Sequence, residues 1–144
     1  FFVKINKEIE IPLRLMYTLN KKRKVGRRML YRRAKDMQPT PIEHCMGGEG
    51  TVLMEKLLDA PAEMLGKGRA YVRHTIRPGV SIGSHTHEHE METMVVVSGR
   101  ARHVINGEEQ LLEEDIIGAM PGDTHQIECL GDEPLVVIAQ VLYE

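Results

Sequence analysis

Turn signals constrain this chain more than any single residue does. Beyond residue 50 they recur at intervals of roughly ten residues, as Asp59-Ala60-Pro61, Pro78-Gly79, Asn106-Gly107, Pro121-Gly122-Asp123 and Gly131-Asp132-Glu133-Pro134. Between them stand short runs rich in β-branched and apolar residues, at 51–58, 69–76, 93–99, 100–105, 109–113, 115–120, 125–130 and 135–143. Helical periodicity is scarce after residue 40, so the pattern predicts an all-β sandwich or barrel. Asn106-Gly107 is the sharpest turn, because a two-residue type I′ loop needs positive φ at both positions and Asn-Gly tolerates it best. It predicts a hairpin between 100–105 and 108–113.

A chain of 144 residues has room for one domain with a core. With 42% hydrophobic and 28% charged residues the composition is that of a soluble globular protein. No apolar run approaches the ~20 residues that span a bilayer, and Lys4, Lys7, Glu8, Glu10 and Arg14 interrupt the start, so no secretory signal is read there. The expectation is a cytoplasmic protein with no membrane contact. Two cysteines, Cys45 and Cys129, do not make a disulfide framework, and reduced thiols are expected.

The charge is uneven. Residues 1–28 hold nine Lys and Arg against two acidic residues, while the chain as a whole is net −2. Residues 1–40 are therefore read as a partly basic N-terminal extension, disordered or supplying a swapped strand, and 41–144 as the folded domain. Residues 5–19 fit an edge strand or a short helix, and Met29 is a candidate natural start, with 1–28 then an upstream extension. The basic cluster at 21–28, with Arg32, Arg33 and Lys35 after it, has no aromatic interleaving beyond Tyr31. Nucleic acid is not an expected partner.

The chemistry concentrates in "SHTHEHEMET", residues 84–93. In extended chain, residues two apart leave the same face, so His85 and His87 present adjacent imidazoles. Glu92 follows after enough residues for the chain to turn back, and His125 follows the tight turn "PGDT". Imidazole and carboxylate donors suit Zn, Fe, Mn, Ni or Cu better than Mg or Ca. His125, Ile127 and Cys129 share one strand face, as do Glu92, Met94, Val96 and Ser98.

These residues resemble the cupin family in two motifs. The first, G(X)5HXH(X)3,4E(X)6G, is met in full by Gly79, His85, His87, Glu92 and Gly99. The second, roughly G(X)5PXG(X)2H(X)3N, is met in part: Gly122 and His125 are in place, Glu114 stands for the first glycine, Met120 for the proline and Cys129 for the asparagine. The resemblance covers residues 50–143 and implies a double-stranded β-helix, or jelly-roll, barrel. It implies one divalent transition metal per chain, held by His85, His87, Glu92 and His125 with positions left open. It also implies homodimerisation, since small cupins pair and long apolar strands such as 93–99 and 135–143 need cover.

Other residues carry two readings each. His74 shares parity with Val72 and Ile76 and is either a core histidine or a pocket wall with catalytic capacity. The opposite face of that strand offers Tyr71 and Arg73 as candidate substrate-binding residues, an arginine suiting a carboxylate. Cys129 is a small buried residue or a catalytic group beside His125. His103 is undecided between surface and site. His89 is read as solvent-facing or as a support to the site, Glu88 and Glu90 as surface charges, and "EHCMGGEG" (43–50) as a segment crossing the barrel mouth or a plain connection. Fold does not fix function. The leading expectation is a metal-dependent enzyme, of isomerase, lyase or dioxygenase type, acting on a small polar metabolite such as a sugar or carboxylic acid. The alternative is a non-catalytic ligand-binding or sensor module.

Overall fold

The computed structural model describes residues 2–4, 10–12 and 30–144, so the basic cluster at 21–28 and Met29 lie outside the described residues. The chain divides into two units, 1–31 and 32–144. In the first, β1 (Phe2–Lys4) pairs antiparallel with β2 (Glu10–Pro12).

The second unit is built from ten strands: β3 (Thr40–Glu43), β4 (Thr51–Lys56), β5 (Gly68–Ile76), β6 (Ser81–Thr86), β7 (Glu90–Ser98), β8 (Arg100–Ile105), β9 (Glu108–Leu112), β10 (Ile116–Ala119), β11 (Thr124–Leu130) and β12 (Leu135–Tyr143). All pair antiparallel, in a six-stranded sheet of order β10-β7-β12-β5-β4-β3 and a four-stranded sheet of order β6-β11-β8-β9. This is the expected jelly-roll barrel. Its core lies along the inward faces, where Val52, Ile76, Val96, Ile127, Leu135, Val137 and Ala139 are almost wholly removed from water. Burial alternates residue by residue along β11 and β12, as the pleat requires.

The turn chemistry acts where the sequence places it. Asn106 (φ 51°) and Gly107 (φ 86°) close the hairpin that pairs Ile105 with Glu108. Pro41 sits on β3, at the sheet edge, where a missing N–H is tolerated. In this unit two strands were not anticipated, β3 and β6, and β7 begins at Glu90, three residues before the expected run. β6 escapes detection because "SIGSHT" has one large apolar residue and no alternation. Arg32, from the basic stretch, is held within the fold: it donates to the Leu57 carbonyl (3.1 Å) and pairs with Asp59 (2.9 Å) and Glu63 (2.7 Å).

Irregularities in the ladders re-aim particular side chains. Ile82 pairs with Ile127 and His85 with His125, so β6 carries one residue more than β11 across this interval, a bulge at Gly83-Ser84. A second lies on β5, where Ala70 pairs with Val141 and Gly68 with Leu142, leaving Arg69 as the additional residue.

The bulge on β6 is braced by a strap. The one-turn 3-10 helix Cys45–Gly47 and Gly48 lie so close to β6 that a Cβ on Gly83 would stand 2.3 Å from the Met46 carbonyl oxygen, and one on Gly48 2.3 Å from that of Ser81. Gly83→Ala is therefore expected to lower stability by roughly 2 kcal/mol or more, because backbone must shift to admit the methyl group. Gly118→Ala, whose Cβ would meet only the Glu92 carbonyl at 3.8 Å, should stay within about 0.5 kcal/mol. Urea unfolding of the two variants beside wild type measures the difference.

Candidate metal centre

His85 ends the bulged half of β6, His87 lies on the turn just beyond it, Glu92 comes from β7 and His125 from β11. The two sheets thereby bring four donors together, all within 4.8 Å of one another. His87 Nε2 is 3.0 Å from His125 Nε2, which is 3.1 Å from His85 Nε2. Glu92 Oε2 is 3.0 Å from His125 Nε2 and 3.3 Å from His87 Nε2. Donors about 2.1 Å from one ion and at right angles around it would be about 3.0 Å apart. The cluster is thus of a size and chemistry that could hold a metal ion. His87 and His125 are almost wholly buried and Glu92 nearly so.

Each ring is aimed by what its other nitrogen meets. His85 Nδ1 donates to the Gly83 carbonyl (2.9 Å), the bulge residue supplying the acceptor. His87 Nδ1 donates to Glu90 Oε1 (2.9 Å). His125 Nδ1 faces His103 Nε2 at 3.1 Å. An Nδ1–H fixed outward leaves the Nε2 lone pair inward, the orientation found at histidine–metal sites. The backbone of His87 is pinned as well, its N–H donating to the Asp123 carbonyl (3.1 Å) and its carbonyl accepting from Gly122 N–H (2.8 Å).

The electrostatics shift two of the four donors, Glu92 and His85, both downward. Burial pushes Glu92 upward, but the hydrogen bond and charge of His125, with His87 and His85, outweigh it and leave the carboxyl below its usual range. Burial lowers His85, against its bond to the Gly83 carbonyl, and lowers His74 against the pull of Glu92. His103 is brought to about 4 by burial and by His125 beside it.

The cluster opens on a cavity of about 130 Å3 whose walls are mostly apolar, among them Met54, Val72, Met94 and Val141. His74 lines it, with its Nδ1 buried and without a hydrogen-bond partner in the structure. Cys45 and Met46 line it too, so the 43–50 segment does lie against the site. Other candidates fall elsewhere. Arg73 bonds Glu55 at 2.6 Å on the outer face of β5, and Tyr71 shares its parity; neither borders the cavity, because inward parity on β5 belongs to Val72, His74 and Ile76. Cys129 faces inward but away from the cavity, donating to the Glu133 carbonyl (3.3 Å). His103 is not at the surface: it is 1% exposed and stands behind His125, not in the cavity wall.

Two residues were missed. Glu90, read as a surface charge, is 9% exposed and bonds His87, and Arg69, which the β5 bulge turns toward the cavity, bonds Glu90. The parity of Glu90 with Glu92 and Met94 was a usable signal, had the strand been extended back. The bulge left none. His89 is solvent-facing as read, its nearest partner Glu144 at 3.4 Å, and Glu88 is exposed.

The comparisons agree with this architecture. The Cupin_2 model, a cupin domain, matches residues 72–141. An oxalate-binding protein of Thermotoga maritima is 32% identical over 111 residues, covering 76% of this chain and 91% of that protein. The chain belongs to the cupin family. Its fold matches the crystal structure of a predicted oxalate decarboxylase from Thermotoga maritima at a TM-score of 0.77 and 29% identity, over 80% of this chain and 100% of the other. A cupin 2 conserved barrel domain protein from Rhodopseudomonas palustris matches at TM-score 0.61 and 12% identity, over 75% and 72%, which speaks to the fold alone. The mannose-1-phosphate guanylyltransferase ManC of Salmonella typhimurium is 43% identical over 67 residues, 46% of this cupin but only 14% of that protein.

Buried His103 makes stability depend on pH. A histidine at about 4 when folded and about 6.5 when unfolded binds fewer protons in the native state between those values. Its contribution is fully present above the unfolded value and is lost as pH falls toward the folded one. The melting temperature of the metal-free protein should therefore drop between pH 6.5 and 4, and His103→Phe should flatten that slope. A slope unchanged in the variant would assign the loss to other groups.

Proposed function

We propose that this cupin binds one divalent transition metal through His85, His87, Glu92 and His125, and on that metal a small carboxylate. The observation that carries this is the convergence of four donors, three imidazoles with their Nδ1 atoms engaged and one carboxylate, at the base of a small cavity. Four protein donors leave part of a six-coordinate shell open, and a bound ion would supply Lewis-acid charge stabilisation there. The cavity sets the size of the ligand. About 150 Å3 accommodates a benzene-sized molecule, so 130 Å3 suits a compact acid better than a hexose. The relative from Thermotoga maritima carries the name oxalate-binding protein, and oxalate is the first ligand to test.

Purified wild type is expected to hold about one equivalent of Zn, Fe, Mn, Ni or Cu, as a single four-donor site requires, and His85→Ala with His125→Ala to hold none, by elemental analysis. Titration of oxalate into the metal-loaded protein should give saturable binding that disappears in the metal-free form. A protein that takes up none of these metals would overturn the reading.

A second reading, turnover of the ligand, is supported by one observation. His74 borders the cavity without belonging to the donor cluster, which leaves an imidazole available as proton donor or acceptor. His74→Phe should then abolish consumption of the acid, followed by chromatography, while metal content stays at the wild-type level. Pairing of two copies remains part of the proposal, supported by Val97 and Ile116, apolar residues of neighbouring strands of the larger sheet that are exposed. Sedimentation should show a dimer at micromolar concentration. Among the described residues no helix is long and apolar enough to cross a membrane.

A further inference from the structure

Of the three histidines in the cluster, His87 alone has a charged group at its Nδ1. Its Nδ1 meets Glu90 Oε1 at 2.9 Å, and Glu90 is in turn gripped by Arg69, whose Nε donates to Oε2 at 2.7 Å and whose Nη2 donates to Oε1. We propose that Arg69 and Glu90 are positioning residues that lock His87 as the Nδ1–H tautomer and so set the metal affinity of the site. The inference rests on the metal-binding reading above.

An ionised carboxylate only accepts hydrogen bonds, so whatever nitrogen faces Glu90 must bear the proton. The Arg69 guanidinium donates to both oxygens, so both serve as acceptors, and its planar fork fixes the carboxylate plane against which the ring is set. Nε2 of His87 is then left as the lone pair directed at His125 and Glu92. His85 is held by a neutral carbonyl that belongs to its own strand, whereas His125 faces another imidazole, which can donate or accept and so does not dictate a tautomer. The Arg69–Glu90 arm gives the cluster a member whose orientation depends on a side-chain ion pair rather than on local backbone.

The arm exists because of two local departures from regular structure. Arg69 is the additional residue of the β5 bulge, and without it parity would leave the guanidinium on the outer face with Arg73. Glu90 is the first residue of β7, three after His87, with His89 at φ 57° between them turning the chain so that the two side chains meet. The motif residues His85, His87 and Glu92 therefore do not by themselves define the strength of the site; two residues outside the ligand set complete it.

The test compares Glu90→Ala, Glu90→Gln and Arg69→Ala with wild type, and takes Arg73→Ala as control, which breaks an ion pair on the same strand but on the opposite face. Zn affinity measured by chelator competition should fall roughly 10- to 100-fold in Glu90→Ala, be partly restored in Glu90→Gln, whose amide oxygen still accepts from Nδ1–H, and fall in Arg69→Ala. Arg73→Ala should match wild type. In the metal-free protein, long-range 15N–1H spectra should show His87 as the Nδ1–H tautomer in wild type and a mixture in Glu90→Ala. Strand content by circular dichroism confirms that each variant is folded. Wild-type affinity together with an unchanged tautomer in Glu90→Ala would overturn the inference, as would an equal loss in Arg73→Ala. A wild-type protein that takes up no metal would overturn the proposed function instead, and the tautomer spectra would still decide the role of the arm.

Discussion

Three imidazoles and a carboxylate packed inside an apolar barrel can persist only if their remaining polar atoms find partners. A buried polar group without a partner costs on the order of 1–3 kcal/mol, and the cluster concentrates several such groups within 4.8 Å. The structure meets this by giving every Nδ1 an engagement: a backbone carbonyl for His85, a carboxylate for His87, a second imidazole for His125. The inward atoms contact one another. Among the described residues two nitrogens escape this provision, Nδ1 of His74 and Nδ1 of His103. One borders the cavity and the other lies behind His125, so the unsatisfied groups sit beside the site and not at random in the core.

The barrel positions the donors by departing from ideal pleating. A regular β6 would send Ile82 and His85 to opposite faces; the bulge at Gly83-Ser84 lets one pack against Ile127 while the other meets His125. The same bulge supplies the carbonyl that orients His85, and Gly83 without a side chain lets the 45–48 strap press against it. One glycine thus serves ladder geometry, ring orientation and closure of the cavity wall. On β5 the corresponding irregularity turns Arg69 toward Glu90 and leaves Arg73 to pair with Glu55 outside. Two arginines four residues apart on one strand consequently have unrelated surroundings.

Much of this was legible in the chain itself, for reasons that are local. Turn residues fix φ within a few positions, so Asn106-Gly107 located its hairpin to the residue. Period-two alternation placed Glu92, Met94, Val96, His125, Ile127 and Cys129 on shared faces, and all are buried; Ser98, given the face of Glu92, is exposed, because Val97 is an additional residue in the β7–β12 ladder and breaks the parity. The HxH spacing with Glu92 and His125 marked the cluster and the family together. The failures have equally definite causes. His103 was undecided because Arg100 and Arg102 precede it on its strand, and nothing local reveals that the Ala101 face is the inner one. Glu90 was assigned to the surface because charge was weighed above its parity with Glu92. Cys129 was rightly placed inward, but depth along the barrel axis, which separates it from the cavity, is not encoded in parity.

The sequence by itself determined the fold class, the turns, the family and the four donors, because each rests on spacing between near neighbours along one strand or on a motif. Only the tertiary structure decided which residues support those donors. Gly83, Glu90, His103 and Arg69 come from four different strands and act through hydrogen bonds between elements. Such contacts depend on register and on where a bulge inserts one residue, and a shift of one residue exchanges the faces of a strand. That is a property of paired strands, which a single strand read alone does not contain.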